Sequence, residues 1–419
     1  MIVGLDIGTS YIRVAIGDVD ENGNVQIAGT SVLKSDGLRN GIIVNIEAAK
    51  TVIKEAIEAA EQNAGLEVNS VYTAIGGVQV NSTNSHGVVG ITKTRGNSRE
   101  IAQSDIDRVI DCAKSIKFPP DRQLLHIIPQ NFVVDGIPAG VNPPLARMGD
   151  RLEADVHIIT AALSTVQNIR SCIDRSGYMC NGVMSKTLAS TYSVVHDDEL
   201  DLGSILIDLG AGTTDVLVLF RGAPICSASI QVGGNLVTND IAIIKGISVA
   251  NAEKIKLESG CCWYDGISDD SEVIIQGVGG RPPELTTKSD ICQIIQPRME
   301  EILTMARNAV VQNPAIKQLA ANKTELAGNI ILTGGGAQME GVVELAQAVF
   351  KTTSIRVGYP ENLGGVEEDY RRPDFSTAVG LVLANKKAAV SAGNRKRKNR
   401  SHETDKKESS VKKFLKSFF

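Results

Sequence analysis

At 419 residues the chain is long for one domain, and a prior of ~150 residues per domain gives two or three. With 42% hydrophobic and 22% charged residues it can bury an ordinary core, which excludes a disordered or fibrous chain; 4% aromatics beside 40 glycines speak against an aromatic-rich β-sandwich. The formal charge of −5 hides an asymmetry, because from Ser391 to Phe419 ten Lys/Arg stand against three acidic residues, net +7, leaving −12 for residues 1–390. An acidic body with a basic end predicts that an anionic partner surface meets the end.

Seven cysteines, an odd number without C-x-x-C spacing, exclude a zinc ribbon and argue against a secreted disulfide framework. The adjacent Cys261 and Cys262 read most simply as reduced thiols. Met1 leads straight into an apolar strand with no basic stretch, unlike a signal peptide, and the longest apolar runs are too short to span a bilayer. The expectation is a cytoplasmic protein.

Short β runs alternate with helical stretches from the start, the pattern of an α/β architecture. Ile2–Ile7, Tyr11–Ile16 and Val25–Val32 are predicted strands joined by Gly-containing turns. A helix follows, with Asn45 as N-cap, Val52, Ile53, Ala56, Ile57 and Ala60 on one face, and Gly65 as the stop. Ser104 with Asp107 predicts a capping box opening a second helix that carries Ile106, Val109, Ile110 and Ala113. Ser164 with Gln167 opens a third, ending near Gly177. Residues 84–160 hold short strands such as Ile127–Val134 and a Pro/Gly-rich loop, which predicts a small inserted subdomain.

An internal repeat carries more weight than any single element. Val3–Thr9 recurs at Leu206–Asp215 with an offset that aligns Asp6 with Asp208 and Gly8 with Gly210. Each copy is an apolar strand, an Asp, a Gly-bearing turn with small hydroxyl residues, then another apolar strand. Glycines at Gly8, Gly210 and Gly212 let backbone N–H groups approach an anion, and Thr9, Ser10, Thr213 and Thr214 add hydroxyl donors. Carboxylates beside phosphate make sense chiefly with a hydrated Mg²⁺ between them, which points to Asp6 and Asp208. One such turn is an ordinary tight hairpin; two in register can close on one anion from opposite sides.

Two further glycine stretches extend this pattern. The strand Asn329–Thr333 runs into Gly334, Gly335 and Gly336, with Gln338 before a helix from about Gly341, a place where a flat or anionic ligand can approach backbone. Gly233 and Gly234 precede another helical stretch, and on the next helix Glu253 and Lys256 share a face; an alternative reading of that pair is a surface ion pair worth under ~1 kcal/mol.

GLDIGTS, DLGAGTTD and LTGGGAQMEG, in that order, resemble the phosphate-1, phosphate-2 and adenosine motifs of the actin, sugar kinase and heat-shock chaperone ATPase superfamily. Within it the chain is similar to the FtsA family of bacterial cell-division proteins over essentially its full length. The more specific segments are AIGGVQVNSTNSHGVV (74–89), RMGDRLEADVHIITA (147–161), VGGNLVTNDIA (232–242) and AEKIK (252–256).

The resemblance implies an actin-like two-domain ATPase fold with an FtsA-type insertion and a flexible amphipathic tail. It divides the chain into a first half (1–83 and 161–202, with a C-terminal helix 376–390), the insertion (84–160), a second half (203–242 and 328–375) and that half's small subdomain (243–327). It implies ATP as ligand, cradled by Gly8, Thr9, Ser10, Gly210, Gly212, Thr213 and Thr214. Asp6 and Asp208 are the implied catalytic carboxylates, holding Mg²⁺ through water. Gly233 and Gly234 would border the nucleotide, Glu253 and Lys256 would reach the ribose, and Gly335, Gly336 and Gln338 would flank the adenine. One position departs: where the chaperones carry a carboxylate or carboxamide facing the attacking water, alignment on Leu188-Ala189-Ser190 places Lys186. A charged lysine cannot accept a proton, so the expectation is secure binding with slow or negligible hydrolysis.

Residues 391–410 contain no large apolar side chain and read as a flexible tether (391–408 in the domain division). In residues 409–419, Val411, Phe414, Leu415, Phe418 and Phe419 fall on one helical stripe and Lys412, Lys413 and Lys416 on the other face. Burial at ~1.5–3 kcal/mol per side chain and ~1 kcal/mol per lysine near an anionic leaflet support reversible membrane binding. A docking helix for a protein groove is the alternative. The resemblance further implies a membrane-bound scaffold that polymerises, tethers the tubulin-like division GTPase FtsZ and recruits later divisome proteins. A small-molecule kinase on the same fold predicts a sugar-site motif, which the sequence lacks; nucleic-acid binding by Arg395–Arg400 lacks interleaved aromatics.

Overall fold

The computed structural model describes residues 1–20, 23–92, 98–276, 282–322, 326–361, 363–365 and 368–386. The tail residues Val411, Lys412, Lys413, Phe414, Leu415, Lys416, Phe418 and Phe419, and the tether before them, lie outside the described residues.

The chain opens as an antiparallel meander, β1 (Ile2–Ile7), β2 (Tyr11–Val19) and β3 (Val25–Lys34). Helix α1 (Ile46–Ala64) starts where Asn45 accepts a hydrogen bond from the Ala48 N–H and stops at Gly65, whose φ of 62° is left-handed. Its buried face is Ala49, Ile53, Ala56, Ile57 and Ala60, one residue different from the expected stripe because Val52 is only partly covered. The helix returns the chain to β4 (Ser70–Ile75), parallel to β1.

The insertion follows. Its strands β5 (Val80–Gly90), β6 (Arg122–Val134), β7 (Ile137–Gly140) and β8 (Arg151–Ala162) form a sheet ordered β7-β6-β8-β5. Helix α2 (Gln103–Lys114) packs Ile106, Val109 and Ala113 into a core with Phe132, Leu152, Val156 and Ile158. The expected capping box at Ser104 and Asp107 is displaced. Asp105 is the capping carboxylate, accepting from the Ala102 N–H at 3.0 Å while Arg99 and Arg108 hold it at 2.7 and 2.8 Å. Those donors outweigh its burial and hold its carboxyl at about 2. Helix α3 (Leu163–Arg175) likewise has Ala162 at its N-cap without a side-chain cap, so Ser164 lies inside the first turn.

After β9 (Met179–Ser185), α4 (Lys186–Val194) and α5 (Asp197–Leu202), a second meander appears: β10 (Ser204–Leu209), β11 (Thr214–Phe220) and β12 (Ala223–Ile230). Helices α6 (Gly234–Lys245) and α7 (Val249–Ser259), a hairpin of β13 (Glu272–Ile275) and β14 (Glu284–Thr287), α8 (Lys288–Gln312) and α9 (Pro314–Ala321) precede β15 (Ile330–Thr333), α10 (Val342–Phe350) and β16 (Ile355–Val357). The first sheet is ordered β9-β4-β1-β2-β3, with Gly364–Gly365 added at its far edge, and the second β16-β15-β10-β11-β12. Strand order and sense match position for position. The short repeat in the sequence is thus the visible part of a five-strand duplication.

The insertion also touches the second half. Asn84 donates to Ile225 O at 3.0 Å, Gln130 to Pro224 O at 2.9 Å, and the ring of His157 lies between Asn84 Oδ1 (2.7 Å) and Ser227 Oγ (2.8 Å). Burial pulls His157 down to about 3. All seven cysteines are free, Cys261 and Cys262 among the buried ones. Among the described residues no helix is long and apolar enough to cross a membrane.

Helix α11 (Ser376–Ala384) lies in a slot cut by glycines. A Cβ on Gly4 would sit 2.0 Å from Ala378 O, and one on Gly380 would sit 2.0 Å from Ala189 O. Such overpacking costs ~1–3 kcal/mol. Gly380→Ala should therefore lower stability by about 1–3 kcal/mol in denaturant melts, while Gly90→Ala, where a Cβ meets nothing within 4 Å, changes it little. Glu199 joins the sheet ends: Arg356 contacts it at 2.6 Å and Asn329 donates at 2.7 Å. Burial opposes its ionisation, but these donors prevail and lower its carboxyl from 4.5 to about 2. A depressed carboxyl contributes stability that is present above pH 4.5 and lost as pH falls toward 2. Glu199→Gln should flatten the acid limb of the stability–pH curve in that window and reduce stability at neutral pH.

Candidate functional site

Because the two sheets are alike, the turns after β1 and β10 face each other. Each is closed by the same bond, Gly8 N–H to Tyr11 O at 3.1 Å and Gly210 N–H to Thr213 O at 3.0 Å. A Cβ on Gly212 would lie 2.8 Å from Thr9 Oγ1 and 2.8 Å from Asn40 Cα, so the tips meet backbone to side chain with no room for anything larger than glycine. Ser10 Oγ donates across to Asn235 Oδ1 at 3.3 Å, and Gly41 N–H donates to Thr9 Oγ1 at 2.9 Å.

Between the tips lies a cleft of about 520 Å³, and every residue expected at the site lines it. Asp6 and Asp208 end β1 and β10 at its floor, 5% and 1% exposed. Asp208 Oδ1 accepts no hydrogen bond, and Oδ2 faces the Lys186 ammonium, with Nζ at 3.3 Å. Burial pushes Asp6 up, with Lys186 and Arg13 pulling against it, and burial pushes Asp215 up as well. For Lys186 burial would favour the neutral amine, but Asp208, Asp6 and Asp215 outweigh it and raise its pKa. Among the described residues no group of three or more His, Cys, Asp or Glu side chains is arranged to grip a metal directly.

The hydroxyls of the second turn are already engaged: Thr213 Oγ1 donates to Asp215 at 3.2 Å and Thr214 Oγ1 to Val232 O at 3.0 Å. Gly234 N–H donates to Gly210 O at 3.0 Å, docking the start of α6 on the same turn. Glu253 and Lys256 are 2.7 Å apart, and Lys256 also donates to Thr238 Oγ1 (2.8 Å) and Gly234 O (3.2 Å). With its side chain 9% exposed, Lys256 is a clamp between α6 and α7 and not the surface pair that spacing alone allows. The Gly334 turn has φ 83° and stands so near Asp208 that a Cβ would fall 2.3 Å from Oδ1. A Cβ on Gly335 would meet nothing within 4 Å.

Two groups of residues at the cleft escape a reading of spacing. Asp374 binds Arg13 at 2.6 Å and Arg372 at 2.6 Å; Arg13 and Asp374 lie 361 residues apart, and nothing in either neighbourhood signals the pair. The second is Asp215, whose Oδ1 accepts from the Gly77 N–H at 2.9 Å; it closes the DLGAGTTD motif, the signal that could have found it.

A duplicated five-strand sheet with paired Asp-Gly turns and a glycine turn around one cleft defines the actin-like ATPase fold, and solved structures agree. The chain covers 97% of the PilM–PilN type IV pilus biogenesis complex chain over 91% of its own length, with TM-score 0.64 and 17% identity. It covers 98% of MreB5 of Spiroplasma citri bound to ADP over 94% of its length, with TM-score 0.54 and 12% identity. The profile described as "Cell division protein FtsA" matches residues 205–380, and "SHS2 domain inserted in FTSA" matches residues 77–160. The cell division protein FtsA of Borreliella burgdorferi is 39% identical over 384 residues, 91% of this chain and 90% of that protein. The chain belongs to the FtsA family of cell-division proteins.

Proposed function

We propose that the cleft binds ATP with Mg²⁺, and that the protein is an actin-like division scaffold whose nucleotide governs its self-association at the inner face of the cell membrane. The observation that carries the nucleotide reading is the meeting of both glycine turns and the Gly334–Gly336 turn over two buried carboxylates. That the similar MreB5 structure holds ADP supports it. Gly8, Thr9, Ser10, Gly210, Gly212 and Thr213 would hold the phosphates, with Thr214 fixing the second turn from behind. Gly233, Gly234, Glu253 and Lys256 would lie along the ribose, and Gly335, Gly336 and Gln338 along the base. Asp208, whose buried Oδ1 accepts no hydrogen bond, fits a hydrated cation held jointly with Asp6. The cation would supply positive charge against the phosphates. A charged lysine in the chaperone's water-orienting position supports slow turnover.

We place the insertion at 84–160, with halves built on 1–83 plus 161–202 and on 203–242 plus 328–375, and 243–327 as a side subdomain. Membership of the division family supports FtsZ, later divisome proteins and further copies of the chain as partners. The lysine-flanked apolar stripe of residues 411–419 supports an anionic membrane as the surface that carries them.

Two measurements test these readings. ATP with MgCl2 at a hundredfold excess over its Kd should raise stability by ~2.7 kcal/mol in thermal melts. Gly335→Glu, which projects a carboxylate into open space, should stay folded and lose that shift. In pelleting with anionic vesicles, the full chain should sediment and a chain ending at Ser409 should stay in solution; equal pelleting of both would remove the tail as anchor.

A further inference from the structure

Lys186 opens α4 and reaches into the floor of the cleft, where its Nζ lies 3.3 Å from Asp208 Oδ2 with the side chain 19% exposed. Asp6 and Asp215 line the same cleft, so one ammonium stands among three buried carboxylates. The lane it occupies is kept open by Gly76. A Cβ there would sit 3.2 and 3.3 Å from the lysine's Cβ and Cδ and 3.0 Å from Asp215 Oδ2. Asp215 is in turn fixed by the Gly77 N–H at 2.9 Å and Thr213 Oγ1 at 3.2 Å. The lysine is therefore seated in a made place.

An anion bound in this cleft lies over Asp6 and Asp208 at its floor. Without a cation between them, like charge in a low-dielectric pocket opposes binding strongly. The usual remedy is a divalent metal carried in with the phosphates. Here a fixed positive charge already stands beside Asp208. A lysine is a compact point charge that binds phosphate oxygens as well as carboxylates.

We infer that Lys186 is a built-in counter-cation, a specificity-determining residue that lets this cleft hold a nucleoside di- or triphosphate with a weakened requirement for divalent metal. The inference rests on the nucleotide reading of the cleft and adds to it which group balances the charge.

The test is calorimetric titration with ADP and with ATP, each in excess MgCl2 and in excess EDTA, on the full chain and on Lys186→Gln and Lys186→Arg. For the unsubstituted chain, removing the metal should weaken binding by no more than about tenfold. Removing the metal should weaken Lys186→Gln at least about tenfold more than it weakens the unsubstituted chain, while Lys186→Arg keeps metal-free binding. Loss of all binding by the unsubstituted chain in EDTA, with binding intact in MgCl2, overturns the role of Lys186 and leaves the nucleotide site standing. Equal losses by Lys186→Gln in both buffers overturn it too, since the lysine is then only a phosphate ligand. Absence of binding in MgCl2 removes the nucleotide reading and this inference with it. Because the first comparison uses the unsubstituted chain, it decides even if Lys186→Gln, which leaves Asp208 without its cation, does not fold.

Discussion

The structure depends on a contact that leaves no room for a side chain at Gly212. Thr9 and Gly212 bring the tips of two hairpins together from opposite sheets, and a methyl group on Gly212 would lie 2.8 Å from Thr9 Oγ1. Everything that defines the site follows from it. The two strand-end carboxylates are brought to one floor, α6 is docked on the second turn by the Gly234–Gly210 bond, and the Gly334 turn is pressed against Asp208. A close approach of this kind suits glycine because it puts no Cβ between the two turns.

Much of this was readable beforehand because glycine, aspartate and apolar runs are local signals. The Asp6/Asp208 repeat exposed the duplication, and α1 obeyed its cap and its stop because Asn45 and Gly65 act within one turn of the helix. What failed was also local, but degenerate. Several residues near 104 can cap a helix, and Asp105 takes the role because Arg99 and Arg108 fix its carboxylate. Contacts made by the tertiary fold are where local spacing stops. Arg13 and Asp374 find each other only because α11's lead-in is laid across β2, and Lys256 becomes a buried clamp only because α6 and α7 pack side by side.

Charge is handled differently in the two parts of the chain. In the cleft, carboxylates are buried and balanced by individually seated cations: Lys186 stands beside Asp208 in a lane bordered by Gly76, and Arg13 shares Asp374 with Arg372. Such pairs are sensitive to the removal of one member, because the remaining charge is left in a poor solvent. The C-terminal segment has the reverse design in its sequence: many basic residues and few acidic ones, suited to a diffuse, additive attraction.

The seam between the insertion and β12 belongs to neither scheme. It is made by Asn84, Gln130, His157 and Ser227, and burial pulls His157 down to about 3, so these partners are neutral at neutral pH. Mobile ions screen charges and leave bonds between neutral dipoles nearly untouched. This joint therefore keeps its strength across swings of salt and acidity that loosen a charged attachment, and the insertion stays fastened to the second half when electrostatic contacts elsewhere come and go.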